Sequence, residues 1–205
     1  MKKIVSIFFA AIIISGCAST THNQITAPEL APLNWQQHFN SMRSLQKWDA
    51  NAQIAIKIDK KTQKAKMLWQ QNQSHYDISF LGPFGHAGPK IYGDNQSTTL
   101  LIPKEAPLTG TNTSSLLQQR LGWQLPVENA QYWIKGIPSP LSDSQLTLKD
   151  QRLYTLQQDG WTVSYPQYRQ VANQYLPAKI IISKDNLRLL LVIYKWQLQQ
   201  PLLES

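Results

Sequence analysis

Residues 48–69 read WDANAQIAIKIDKKTQKAKMLW, and the alternation in this stretch decides the fold class. Ile54, Ile56 and Ile58 alternate with Gln53, Ala55 and Lys57; after the polar run Asp59 to Gln63, the pattern resumes in Ala65, Met67 and Trp69. Successive side chains of a strand point to opposite faces, so a period of two on either side of a polar run predicts a hairpin. The same hairpin collects Lys57, Lys60, Lys61, Lys64 and Lys66. That basic cluster can face anionic lipid headgroups, an acidic partner or simply water.

Outward from this hairpin the chain keeps strand rhythm. Upstream, Asn34 is a good N-cap, and Trp35, Phe39, Met42 and Leu45 follow at helical spacing, which predicts a helix with one face on a core. Downstream, Tyr76, Ile78 and Phe80 predict a third strand, Pro89 to Tyr92 the start of a fourth and Thr98 to Ile102 a fifth, with Gly93-Asp94-Asn95 as a turn. Connections this short favour antiparallel neighbours, because parallel crossovers need a dozen or more residues. Residues 103–112 read as a Pro/Thr/Gly loop. Ser114 is expected to cap a short helix bearing Leu116, Leu117 and Leu121. A second helical segment runs from Val127 to Lys135, with Val127, Ala130, Trp133 and Ile134 inward and Gly136 at its end. Strands resume at Gln145 to Leu148, Arg152 to Gln157, Trp161 to Tyr165, Lys179 to Ser183 and Leu187 to Trp196, the last two joined across Lys184-Asp185-Asn186. The expected fold is mainly β: one curved, mostly antiparallel sheet with two or three helices held against it.

The chain of 205 residues has room for one domain, and its 7 Trp, 8 Tyr and 5 Phe supply bulky core material that disordered chains lack. One Cys allows neither an internal disulfide nor a Cys-only metal site, and four scattered His offer few ligands. The Cys sits in a telling place. Lys2 and Lys3, the apolar run Ile4 to Ile14 and the small residues Ser15 and Gly16 lead to Cys17, the order of an export signal. The apolar run is too short for a membrane span, which needs about 20 residues. Ile14-Ser15-Gly16-Cys17 is similar to a bacterial lipobox, in which the Cys becomes the first mature residue and carries lipid; the alternative is an ordinary signal whose cleavage zone contains a Cys. Residues 1–16 are thus a lipoprotein signal peptide, 17–32 a lipidated N-terminus and Pro-containing linker, and 33–205 the folded domain. Two or more acyl chains hold a domain firmly to a bilayer, which makes the mature protein a tethered, water-facing one.

Two features bear on function. Large apolar residues occupy both alternating positions in places, as in Leu68-Trp69 and Leu189-Leu190-Leu191, where a sheet solvated on one side shows cleaner alternation. A hydrophobic ligand cavity, helices on both faces, or a closed sandwich each fit. Second, Leu81-Gly82-Pro83-Phe84-Gly85-His86-Ala87-Gly88-Pro89 fixes a tight excursion between the third and fourth strands, presenting Leu81 and Phe84 at or near its tip. Phe84 either folds back onto the core or, in a tethered domain, enters the lipid boundary.

Taken in order, the lipobox at Ile14 to Cys17, Trp69-Gln70-Gln71 with Tyr76, Gly82-Pro83-Phe84-Gly85, Leu125-Pro126 leading to Tyr132-Trp133-Ile134-Lys135-Gly136-Ile137-Pro138, and Gly160-Trp161-Thr162-Val163-Ser164-Tyr165 resemble the LolB family. The resemblance spans essentially the whole mature domain. It implies an incomplete antiparallel β-barrel closed by helices around an apolar cavity, anchored to the outer membrane and facing the periplasm of a Gram-negative cell. It implies acceptance of lipoproteins from the periplasmic carrier LolA, binding of their acyl chains, and their insertion into outer-membrane lipid. The Pro-apolar-Gly match places the insertion residue at Phe84, flanked by Leu81 and Pro83, where the family usually carries Leu. Trp69, Ile78, Phe80, Trp133 and Ile134 are the expected acyl-chain residues. No cofactor is expected beyond the covalent lipid on Cys17, and the protein is expected to be a monomer. A static outer-membrane lipoprotein serving as a scaffold is the alternative.

Other classes find little purchase. No nucleotide loop of the G-x-x-x-x-G-K-[ST] or G-x-G-x-x-G type is present, nor a G-x-S-x-G elbow or H-E-x-x-H pair, so neither nucleotide use nor an enzyme is expected. His22, His38, His75 and His86 lie far apart, and Asp143, Asp150 and Asp185 sit where turns need Asp anyway. Nucleic acid is not an expected partner of an exported, tethered chain.

Overall fold

The computed structural model describes residues 34–123 and 125–199. The expected signal, lipidation site and linker lie outside the described residues. Eleven strands and three α-helices follow in the order α1 (Trp35–Ser44), β1 (Lys47–Ile58), β2 (Lys61–Asn72), β3 (His75–Leu81), β4 (Ala87–Gly93), β5 (Thr98–Leu101), β6 (Leu108–Gly110), α2 (Thr113–Leu121), α3 (Val127–Trp133), β7 (Ser144–Lys149), β8 (Arg152–Gln158), β9 (Trp161–Val171), β10 (Gln174–Lys184) and β11 (Leu187–Leu198).

All the strands join one antiparallel sheet in the order β6-β5-β4-β3-β2-β1-β11-β10-β9-β8-β7. The first and last strands meet in the middle, Ile54 opposite Leu191 and Ile56 opposite Leu189, and each half meanders outward from that seam. The ends, β6 and β7, do not pair, so the barrel stays unclosed. The chain must still cross from one edge to the other, and it does so through α2 and α3. Their place in the connectivity lays the helices over the sheet's inner face.

Burial follows strand parity. In β1, Trp48, Ala50, Ala52, Ile54 and Ile56 are buried, and the same face continues in Met67 and Trp69, Ile78 and Phe80, Ile91, Leu156, Val163, Ile180 and Leu191. Met42 of α1, Leu116 and Leu117 of α2 and Trp133 of α3 join these residues in one core. Leu68 and Leu190 lie on the opposite face, half-buried. The apolar residues at adjacent positions therefore do not mark a sheet covered on both sides or a sandwich: helices cover one face and aliphatic side chains partly shield the other.

Several local expectations change. Asn112, not Ser114, caps α2 by accepting from the Ser115 N–H at 2.7 Å, while the Ser114 hydroxyl donates to Leu125 O and Glu128 Oε2. The loop 103–112 contains the short edge strand β6. Strands β9 and β10 run on past Tyr165 and begin before Lys179, through Pro166 and Pro177. Both prolines sit at register shifts of the β9–β10 pair, where proline is tolerated because no ladder donor is needed. The turn after β1 is only Asp59-Lys60. In and just after α1 the expected stripe of Trp35, Phe39, Met42 and Leu45 packs against the core, with Met42 fully buried, and His38, outside that stripe, is buried with it.

Candidate functional site

The inner face under the helices is aromatic. Trp48 lies 5.4 Å from Trp69 and 5.5 Å from Trp196 between ring centroids, Phe80 meets Trp123 edge-on at 5.5 Å, and Trp133 lies 6.3 Å from Trp161. Three of the buried indoles have N–H partners: Trp69 donates to Gln71 Oε1, Trp133 to Gln158 Oε1 and Trp196 to Pro177 O, at 2.8–3.0 Å. That is the condition under which Trp can sit in an apolar interior without loss.

Gln158 is the polar hinge of this arrangement. Its Oε1 accepts from Trp133 Nε1 and from the Ser139 N–H, and its Nε2 donates to Ser139 O and Ser142 O. One side chain thereby fixes the end of α3 and the following loop to β8. Tyr165 adds a hydroxyl donated to Trp133 O at 3.0 Å. Gly136, at φ 77, stands where a Cβ would come within 2.8 Å of Tyr168 Oη, so the sharp exit from α3 needs glycine for both conformation and space. The other helix is held at its start: Tyr76 Oη, Thr98 Oγ1 and Thr113 Oγ1 share hydrogen bonds, and Glu128 accepts from the Thr113 N–H and the Ser114 hydroxyl.

Two buried basic groups were not visible in the sequence. His38 is kept neutral, its pKa lowered to about 4 by burial first and Arg152 second, and it meets Tyr168 edge-on. Lys135 is buried with its Nζ donating to Leu45 O at 3.0 Å, tying the end of α3 to the chain leaving α1; burial lowers its pKa to about 8. No periodic or spacing signal distinguishes either residue from a solvated one.

Of the expected acyl-chain residues, Trp69, Ile78, Phe80, Trp133 and Ile134 all fall in this one core, each 4% exposed or less. The sheet and the end of α3 bring them together, all buried in that core. A surface cavity of about 610 Å³ opens instead at the α1 end, lined by residues including Met42, Leu45, Asn72, Gln174 and Leu198.

The loop between β3 and β4 is the reverse of this interior. Pro83–Gly85 form a single 3₁₀ turn, closed by Gly82 N–H donating to His86 O at 2.9 Å. Phe84 adopts φ 60 and is 100% exposed. A left-handed phenylalanine is uncommon, and here it holds the ring away from the protein. Leu81 is not at the tip: it ends β3, half-buried, opposite Lys66 on one side and Ala87 on the other.

Among the described residues no three His, Cys, Asp or Glu side chains lie close enough to hold a metal, and no helix is long and apolar enough to cross a membrane. His75 approaches Asp94 at 3.8 Å on the surface, and His86 is exposed beside Phe84.

Comparison with known proteins agrees with this geometry. Among solved structures, a LolA superfamily protein from Nitrosomonas europaea superposes with a TM-score of 0.55 at 12% identity, covering 82% of this chain and 95% of that one. A DUF1329 family protein from Desulfovibrio piger superposes at 0.57 with 10% identity, covering 80% and 90%. These likenesses establish the fold: a mostly β, unclosed antiparallel sheet with helices on its inner face. Among curated sequences, outer-membrane lipoprotein LolB of Pseudomonas syringae pv. syringae (strain B728a) is 33% identical over 194 residues, 94% of this chain and 95% of that protein. The LolB of Pseudomonas putida (strain GB-1) is 31% identical over the same shares. Residues 46–196 match the family described as Outer membrane lipoprotein LolB, and the chain belongs to that family.

Proposed function

We propose that this outer-membrane lipoprotein is the receiving end of a lipoprotein relay: it accepts lipoproteins from a LolA-type carrier, holds their acyl chains between the helices and the inner face of the sheet, and passes them to the membrane. Lipid on Cys17 keeps it at that membrane. The observation that carries the reading is the pairing, in a member of this family, of an apolar aromatic interior with a fully exposed Phe84 on a protruding turn. Leu81 and Pro83 position that turn, Leu81 by ending β3 and Pro83 by opening the 3₁₀ turn.

The energetics favour such a relay. An acyl chain of roughly 15 methylenes left in water costs about 12 kcal/mol, at about 0.8 kcal/mol for each methylene, so the cargo cannot diffuse bare. Each acceptor need only be a better solvent than the last, and the bilayer is the best. No nucleotide and no bond-making step is required of the protein. Because Trp69, Ile78, Phe80, Trp133 and Ile134 are packed in the unloaded chain, an incoming acyl chain must displace part of the helical layer. The segment Leu116–Trp123 is where the sheet and helices meet through apolar contacts, Phe80 on Trp123 and Leu116 against Gly110.

The packed interior is also what a static scaffold would have, and one experiment separates the two readings. The chain is mixed with a carrier loaded with a radiolabelled lipoprotein, and vesicles are added afterwards. Transfer of the cargo to the chain is expected, followed by incorporation into vesicles. Phe84→Glu is expected to accept cargo normally and to lose most incorporation. Cargo that stays on the carrier supports the scaffold, and equal incorporation by both forms removes Phe84 from the mechanism.

A further inference from the structure

The strand register places the basic hairpin and the Phe84 turn at the same end of the molecule. Strand β3 stops at Leu81 opposite Lys66, while β2 continues back to Lys61, so the turn at residues 82–86 projects alongside the lysine-bearing half of the β1–β2 hairpin. Lys57, Lys64 and Lys66 lie on the outer face, opposite Thr62, Ala55 and Gln53 across the β1–β2 ladder, and Arg188 of β11 stands across from Lys57. Lys60 and Lys61 complete the end. All six cations are exposed.

Among the described residues none of them is in an ion pair; the pairs there involve His75, Lys90 and Arg120. The nearby acids occupy turns: Asp59 accepts from the Asn186 side-chain amide at 2.7 Å, and Asp185 occupies the neighbouring β10–β11 turn. Cations in no ion pair among the described residues, at the same end as a fully exposed phenyl ring, have the composition of a surface that meets a bilayer. Anionic headgroups suit the lysines, and the acyl boundary just beneath them suits the ring.

We infer that the β1–β2 hairpin end and the Phe84 turn form one docking surface for anionic phospholipid headgroups, which sets the domain on the membrane with Phe84 pointing into it. This rests on the membrane role given to Phe84 above and adds a headgroup preference and an orientation. A lysine near an anionic surface contributes about fivefold in affinity, and the contribution fades as salt rises.

The test uses the mature chain, residues 17–205, with Cys17→Ser to remove the anchor; the described fold begins at Asn34, so every packed element is retained. Co-sedimentation is measured with phosphatidylethanolamine/phosphatidylcholine vesicles, with and without phosphatidylglycerol. The combined variant Lys60→Gln/Lys61→Gln/Lys64→Gln/Lys66→Gln is expected to lose at least about tenfold of the binding to phosphatidylglycerol vesicles while keeping its residual binding to neutral ones. Lys149→Gln/Lys195→Gln, away from this end, is expected to bind like the parent, and Phe84→Glu to bind both vesicle types less. Unchanged binding of the four-lysine variant to phosphatidylglycerol vesicles overturns the inference. So does normal vesicle binding combined with failed acceptance from a loaded carrier, which assigns the lysines to an acidic protein. Lysine dependence together with a silent Phe84→Glu supports the headgroup surface and overturns the role of the ring.

Discussion

The turn at Gly82–Gly85 and the segment Tyr132–Pro138 look alike as sequence, each a bulky aromatic set among glycine and proline, yet the fold treats them oppositely. Trp133 has no exposed surface; its N–H is bonded to Gln158 and its carbonyl receives Tyr165. Phe84 touches nothing that covers it. The glycines repeat the contrast: a side chain on Gly136 would strike Tyr168, whereas one on Gly85 would meet open space. Both glycines have positive φ, but Phe84 is itself left-handed in a 3₁₀ turn whereas Trp133 ends a regular helix. An aromatic in such a motif is a packing residue when polar partners wait for its backbone and ring, and a contact residue when the turn carries it off the edge of the sheet.

That contrast makes predictions of different size. Trp133→Ala should be the most damaging change, lowering unfolding free energy by about 3–5 kcal/mol, because it removes the ring and leaves Gln158 Oε1 without its indole donor. A denaturant titration showing a loss under about 1 kcal/mol would mean that the interior readily collapses around the gap. Acid should act on the buried side as well. His38 takes up a proton near its ordinary 6.5 when unfolded but only near about 4 when folded. The unfolded chain therefore binds more protons in that window, and stability falls as pH drops from about 6.5 to about 4, by about 3 kcal/mol in all. Melting curves of the parent and His38→Gln across this range should converge in acid; parallel curves would rule His38 out as the cause. At the small end, Phe84→Ala should leave stability within about 0.5 kcal/mol, since the side chain loses no packing. A larger drop in the same titration would show that the ring folds back onto the protein in solution.

The first three strands were legible because Ile54, Ile56, Met67, Trp69, Ile78 and Phe80 keep strict alternation, and a polar turn separates each from the next. The second half was legible only in part. Pro166 and Pro177 lie just outside the expected strands Trp161 to Tyr165 and Lys179 to Ser183, but the β9–β10 pair absorbs them at its bulges, which only the partner strand can reveal. Strand β6 is too short to show a period, and Asn112 and Ser114 are both competent caps, so only the helix start chooses between them. Leu68 and Leu190 misled in the other direction, because side-chain type alone does not say which face the helices cover. At the candidate site, the tight turn carrying Phe84 was readable from its punctuation by glycine and proline, while the exposure of the ring was not. Nor were the polar fastenings of α3: Gln158 with Trp133 spans 25 residues of sequence, and Lys135 with Leu45 spans 90.

The missing bond between β6 and β7 has a mechanical consequence. A sheet fastened into a tube has its bore set by strand number and stagger, and it cannot widen without breaking ladder hydrogen bonds. This one is a cuff rather than a tube. Its two free edges share no ladder bond, so a change in its girth would leave every existing strand pairing in place.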